Sequence, residues 1–285
     1  MHNFPKIVSN QCKDIIQHGN KLLQLANIEN GEKEIQWFLE SQFFWRPGEI
    51  IFNKSKMFTN WEKEEFLTFI KRRIAGEPFQ YIINNATFYG KDFSVNSSTL
   101  IPRPETETII KVAKNTGPYK NALDIGTGSG NLAIILSLKK IAKHIDAIDI
   151  SKKALKIAQN NCDRYKLTNI KFEQFNFLKN TIKKTYDLIV SNPPYISYAD
   201  YCNLEDHIKL YEPSNALTDH KDGITFYKYF AKKLQLILNP KGKIILEIGL
   251  QKTKDAIEQL FIKEQFKCIW HKDLNGDNRV LEAYK

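Results

Sequence analysis

Asn192-Pro193-Pro194-Tyr195 follows directly on the apolar run Tyr186-Asp187-Leu188-Ile189-Val190-Ser191. Two consecutive prolines fix φ and present carbonyls without neighbouring N–H groups, so the segment is a rigid row of acceptors. The side-chain carbonyl of Asn192 adds another. Such a row suits a planar NH2 group, whose two hydrogens it can hold while the nitrogen lone pair points away. A neutral amide or exocyclic amine is a weak nucleophile, because its lone pair is delocalised. Hydrogen bonds that favour a pyramidal nitrogen therefore help the transition state more than the ground state. Tyr195 can stack on the planar group or turn its ring towards a cation. No general base stands in the motif, so the proton is left to water. In-line group transfer of this kind needs mainly orientation, with no metal and no covalent intermediate.

A second cluster is Asp124-Ile125-Gly126-Thr127-Gly128-Ser129-Gly130. Glycines at alternate positions let the backbone turn sharply and approach a ligand closely, just ahead of a helix N-terminus. A dinucleotide-binding G-x-G-x-x-G would need glycine at 131, where Asn131 stands. Asp124, two residues before the first glycine, suits a cation such as the amino group of S-adenosylmethionine better than a pyrophosphate. The next apolar run ends in Asp146-Ala147-Ile148-Asp149, which leaves the Asp149 carboxylate to accept from ribose hydroxyls. D-x-G-x-G-x-G with an acid at the next strand end resembles the class I S-adenosylmethionine-dependent methyltransferases. The resemblance implies S-adenosylmethionine as cofactor and a Rossmann-like α/β fold.

These two clusters must be set side by side by the elements around them. Short apolar runs at Ala122–Ile125, Ile145–Ile150, Ile170–Phe175, Leu188–Val190 and Ile244–Ile248 read as strands. They alternate with helical patterns over 130–140, 151–166, 222–238 and 250–264. Strand–helix alternation predicts a mostly parallel, doubly wound sheet, and Phe266–His271 with Arg279–Tyr284 around Asn275-Gly276 predicts a C-terminal antiparallel hairpin. Both clusters then fall at the carboxyl ends of strands, where open α/β sheets bind ligands. Residues 1–75 have helical spacing in Ile15-Ile16, Leu22-Leu23, Ile35, Phe38-Leu39 and Phe66 to Ile70, which predicts a small helical bundle. Residues 76–103 form a connector in which Phe79 to Val95 is β-rich, with turn signals at Asn84-Asn85 and Gly90-Lys91, so a hairpin is expected there. Residues 104–285 remain for the catalytic domain.

Composition narrows the partners. The formal charge is +10, which suits an anionic partner. Residues 1–95 hold 12 basic and 11 acidic side chains, however, so the excess lies beyond them. Lysine outnumbers arginine 36 to 6, although planar phosphate and base recognition favours the guanidinium fork. The cysteines at 12, 162, 202 and 268 form no C-x-x-C pair, so neither zinc nor a disulfide framework is expected. Met1-His2-Asn3-Phe4-Pro5 lacks the basic start and apolar run of an export signal, and no run is long enough to span a membrane. A cytoplasmic protein with reduced thiols is the expectation.

Asn-Pro-Pro-Tyr resembles the motif of methyltransferases acting on adenine N6, cytosine N4 and glutamine N5, and cannot choose among these planar NH2 groups. Between Thr185 and His220 there are six acids (Asp187, Asp200, Glu205, Asp206, Glu212, Asp219) and one lysine, Lys209. Such a mouth repels a phosphate backbone and suits a protein loop. A DNA or RNA amino-methyltransferase of the adenine N6 type stays open as the alternative, as does a protein that binds S-adenosylmethionine without turnover. Further residues carry a closer likeness: Gly76-Glu77-Pro78-Phe79-Gln80-Tyr81-Ile82, Leu100-Ile101-Pro102-Arg103-Pro104-Glu105-Thr106-Glu107, Tyr211-Glu212-Pro213 and Asp273-Leu274-Asn275-Gly276-Asp277-Asn278-Arg279-Val280. Together they resemble the HemK/PrmC family, the peptide chain release factor glutamine methyltransferases. That family methylates N5 of the glutamine in the Gly-Gly-Gln loop of class 1 release factors.

Carried over by position, the resemblance implies that Gly126, Thr127, Gly128, Ser129, Gly130, Asp149, Phe177 and Asn192 contact S-adenosylmethionine. It implies that Asn192, Pro193, Pro194 and Tyr195 hold the substrate glutamine. An N-terminal helical bundle is typical of that family and would help dock the release factor. Asn176 stands where relatives often carry an acid, and the roles of Arg103, Glu105 and Glu107 stay open between lining the pocket and capping the next helix.

Overall fold

The computed structural model describes residues 9–53, 55–249 and 251–285. The chain divides into two compact units, one reaching to Asn84 and the other running from Asn85 to the end.

The first unit is helical: Cys12–Leu25, Gly31–Gln42 and Asn60–Ile74 are its long helices, with single turns at Glu49–Phe52 and Phe79–Ile82. The apolar positions spaced three and four apart turn inward, and Ile15, Leu23, Ile35, Leu39, Phe66 and Phe69 are fully or almost fully buried in one cluster. Phe38 stacks on Phe69 with ring centroids 4.3 Å apart. The third long helix starts in a capping box, with Thr59 Oγ1 accepting from Glu62 N and the Glu62 carboxylate accepting from Thr59 N. Phe79–Ile82 is where the β-rich reading fails. Pro78 stands at the start of a helical turn, and Phe79 and Ile82 pack into the helical core. Packing overrides the strand propensity of these side chains. The hairpin exists, but only as β1 (Ala86–Phe88) and β2 (Lys91–Phe93).

The second unit is built on a seven-stranded sheet. Its strands are β3 (Tyr119–Ile125), β4 (Ala142–Asp149), β5 (Ile170–Gln174), β6 (Tyr186–Ser191), β7 (Leu238–Glu247), β8 (Lys267–Lys272) and β9 (Asn278–Tyr284), in the order β5-β4-β3-β6-β7-β9-β8. β5 to β7 along that order are parallel, and β9 pairs antiparallel with both β7 and β8. The expected C-terminal hairpin is thus the antiparallel edge. Alternation splits the apolar strand residues between two faces: Leu188, Val190 and Ile245 enter one core, while Ile189, Ile244 and Leu246 enter the other. Helices Glu107–Thr116 and Asn131–Leu138 bury their apolar side chains in the first core, and Thr225–Ile237 and Lys254–Lys263 in the second. Strand order reverses at β3, whose neighbours are β4 and β6. The crevice at the carboxyl ends of these three strands is the switch point of the sheet.

None of the four cysteines is bridged. Among the described residues no helix is long and apolar enough to cross a membrane, and no cluster of His, Cys, Asp and Glu could hold a metal ion.

Candidate active site

The glycine loop leaves β3 and is tied at once to the end of β4, where Ile148 O accepts from Gly126 N at 2.8 Å and Thr127 N at 3.0 Å. Gly126, Gly128 and Gly130 have φ of +75°, +55° and +82°, a region that other residues avoid. A β-carbon on Gly126 would meet nothing within 4 Å, so the space beside this backbone is open to the crevice. On Gly130 it would stand 3.1 Å from Ala158 Cβ, so glycine there lets the helix Lys152–Arg164 close onto the loop. That helix also contributes Asn161, whose buried amide donates to Ser129 O at 2.9 Å and to Ser94 O at 3.0 Å.

Two acids support the loop differently. Asp149, at the end of β4, accepts from Gly128 N at 2.9 Å and Ser151 N at 2.8 Å. Burial raises its carboxyl above the ordinary range despite these donors. Each oxygen retains a lone pair, and Asp149 lines the crevice. Asp124 behaves otherwise than its position before the glycines led us to expect. It is fully buried and does not line the crevice. Its Oδ2 accepts from Thr127 Oγ1 at 2.7 Å and Ala133 N at 3.2 Å, and Oδ1 has no partner among the described residues. Burial pushes this carboxyl up to about 7. Asp124 braces the loop from beneath.

Asn192, Pro193 and Pro194 form a second wall of the crevice. Ser191 Oγ donates to Ile125 O at 2.6 Å and clips the end of β6 to the end of β3. The Asn192 Nδ2 donates to Thr106 Oγ1 at 3.1 Å, and Thr106 Oγ1 in turn donates to Glu247 Oε2 at 2.6 Å. Tyr195 does not line the crevice: its hydroxyl donates to Glu247 Oε1 at 3.3 Å, and its ring lies on Gly249. Glu247 is fully buried at the end of β7, and burial pushes its carboxyl up to about 7. Burial and that neighbouring carboxylate raise the Tyr195 hydroxyl above its ordinary value.

The structure therefore brings Gly126, Thr127, Gly128, Ser129, Asp149, Phe177, Asn192, Pro193 and Pro194 around one crevice, with Gly130 and Tyr195 just behind it. Phe177 lines it and packs on Phe230 with ring centroids 4.8 Å apart. Asn176 Oδ1 accepts from Leu178 N and Lys179 N, both at 3.1 Å, and so caps its own turn. Arg103 lines the crevice and pairs with buried Glu212 at 2.5 Å. Glu107 accepts from Tyr89 N and holds the β1–β2 turn, and Glu105 does not reach the crevice.

The acidic stretch is less open than its count of charges implies. Glu212 meets Arg103, Asp200 meets Lys252 at 2.9 Å, and Asp187 accepts from Asn121 N and Asn239 Nδ2. Both cations come from distant segments. Sequence reasoning did not single out Glu247 or Asn161; it quoted Thr106 only within a longer motif, and Glu212 only within a motif and as one acid of the mouth. No local signal marks Glu247, because its partners lie far along the chain.

Strand order, glycine loop and Asn-Pro-Pro-Tyr wall together define a class I methyltransferase. Residues 104–206 match the methyltransferase small domain, and residues 14–83 match the PrmC N-terminal domain. The release factor glutamine methyltransferase of Bacillus subtilis is 37% identical over 235 residues, covering 78% of this chain and 80% of that protein. Its counterpart in Enterococcus faecalis is 35% identical, covering 78% and 81%. A methyltransferase structure from Pyrococcus furiosus shares the fold at a TM-score of 0.52 and 19% identity, covering 79% of this chain and 98% of that one. The chain belongs to the release factor glutamine methyltransferase family.

Proposed function

We infer that the protein transfers the methyl group of S-adenosylmethionine to N5, the side-chain amide nitrogen, of the glutamine in the Gly-Gly-Gln motif of class 1 peptide chain release factors. The observation that carries this reading is the shared crevice: a rigid wall of acceptors, Asn192 to Pro194, faces the same space as the glycine loop. The open space beside Gly126 fits a ligand lying on the backbone, and the spare lone pairs of Asp149 fit ribose hydroxyls.

When bound, S-adenosylmethionine supplies an electrophilic methyl group on a sulfonium. Gly126, Thr127, Gly128 and Ser129 give the close backbone approach, Gly130 lets the loop pack, Asp149 takes the ribose and Phe177 borders the adenine. Asn192 Oδ1 accepts one hydrogen of the glutamine amide, and carbonyls of the Pro193-Pro194 segment accept the other. Tyr195 anchors this wall from behind. Orientation supplies most of the rate, and the extra proton passes to water. Residues 1–75 dock the release factor; in the first unit Phe44, Phe52 and Trp61 expose 87%, 83% and 59% of their surface, apolar side chains available to a protein partner. Residues 76–103 connect this region to the catalytic residues 104–285, and the setting is the cytoplasm, where translation terminates.

The test is incubation with labelled S-adenosylmethionine and, side by side, an unmethylated release factor and nucleic acid. Label on the Gly-Gly-Gln glutamine is the expected result. No label there overturns the reading, and label on nucleic acid with a steep salt dependence favours an adenine amino-methyltransferase instead.

A further inference from the structure

An asparagine amide presents a carbonyl on one side and an NH2 on the other, and only the carbonyl can hold the hydrogens of a substrate amide. Something must decide which side faces the crevice. Glu247 is buried to 1% exposure and, when ionised, can only accept. Thr106 has one hydroxyl hydrogen, and the 2.6 Å bond to Glu247 Oε2 uses it. Towards Asn192 the Thr106 oxygen can then only accept, so it must meet the NH2 side, as it does at 3.1 Å. The amide is left with Oδ1 free, and none of the described residues donates to it. Glu247 is itself held in place, with Tyr195 on its other oxygen at 3.3 Å and Tyr227 donating to its backbone carbonyl at 2.7 Å.

We propose that Glu247 and Thr106 are positioning residues for the methyl transfer: through one chain of hydrogen bonds they set the Asn192 amide with its carbonyl towards the substrate. Without that chain the amide can turn over and offer donors to a substrate group that is itself a donor. The inference rests on the glutamine-amide reading of the site.

The discriminating pair is Thr106→Val, which keeps the shape and loses the hydroxyl, and Thr106→Ser, which keeps the hydroxyl. Assayed above about pH 8, where the Glu247 carboxyl is ionised, Thr106→Val should lower kcat by about 30-fold or more while the Kd for S-adenosylmethionine stays within about threefold. Thr106→Ser should stay within about threefold of the unaltered enzyme in both. Wild-type kcat in Thr106→Val, no recovery in Thr106→Ser, or an equal loss of cofactor affinity each overturns the proposal. A second readout needs no turnover: the side-chain NH2 resonance of Asn192, assigned by its loss in Asn192→Ala. It should shift and exchange faster with water in Thr106→Val but not in Thr106→Ser. An identical resonance in Thr106→Val overturns the proposal. Failure of the unaltered enzyme to label the glutamine overturns only the substrate reading, because the resonance still reports the amide.

Discussion

The ring of Tyr195 rests on Gly249 so closely that a β-carbon at position 249 would come within 2.8 Å of Tyr195 Cε2 and nearer still to Cδ2. Gly249 is itself held, because Arg279 donates to its carbonyl at 3.0 Å and Asp273 accepts from Arg279 at 3.0 Å. The end of the Asn-Pro-Pro-Tyr wall is therefore set by the segment after β7. Gly249→Ala should push the ring away and draw its hydroxyl off Glu247. Overpacking of this kind costs about 1–3 kcal/mol of stability, and we expect kcat to fall about tenfold with the fold retained. Steady-state kinetics and thermal melting check this, and an unchanged kcat would show that the ring position is immaterial.

Asn192→Ala removes the acceptor proposed to grip the substrate amide. Loss of one oriented acceptor in a desolvated site should slow transfer by on the order of 100-fold. The cofactor Kd, measured by calorimetry, should change much less. Turnover near that of the unaltered enzyme would remove Asn192 from the chemistry.

Gly126 and Gly130 should separate binding from stability. Both have positive φ, so alanine at either adds about 1–2 kcal/mol of strain. At 126 the new methyl projects into the open crevice, and the Kd for S-adenosylmethionine should rise about tenfold or more. At 130 it meets Ala158 and Ile134 instead, so Gly130→Ala should lose more stability in urea. Equal effects of the two on both measurements would contradict this division.

Glu247 makes a pH prediction whose sign follows from linkage. Its carboxyl titrates near 7 in the folded protein against 4.5 ordinarily. Between those values the folded state keeps a proton that the unfolded chain has released, so stability falls as pH rises through the interval and levels off above it. Asp124 acts in the same direction. Urea unfolding of cofactor-free protein between about pH 5 and about pH 8 should show this fall. In Glu247→Gln it should be smaller by on the order of 1–3 kcal/mol. Parallel curves for the two proteins would refute it.

What could be read from the chain alone was local. Asp124 to Gly130 and Asn192 to Pro194 each do their work within seven residues, and strand-end logic was enough to place both in one crevice. Asp124 was misjudged because spacing shows that an acid precedes the glycines but not which way it points. Phe79–Ile82 looked like a strand because its side chains favour one, and only their packing among helices decides the matter. The acidic stretch looked unneutralised because Arg103 and Lys252 reach it from distant segments. Glu247 carries no signal until folding brings it to Thr106, and Thr106 carries none of its role beyond its place in a quoted motif.

The hydrogen bonds from Asn192 to Thr106 and from Thr106 to Glu247 bridge 86 and 141 residues of chain. Contacts so far apart close late, since the entropy of the intervening loops opposes them until the rest of the sheet is in place. An active enzyme therefore cannot precede a finished one. During synthesis Thr106 and Tyr195 lack their Glu247 partner until β7 has emerged and paired, and in refolding the return of turnover should lag behind the return of helix signal. Turnover, in this protein, should report that its most distant segments have met.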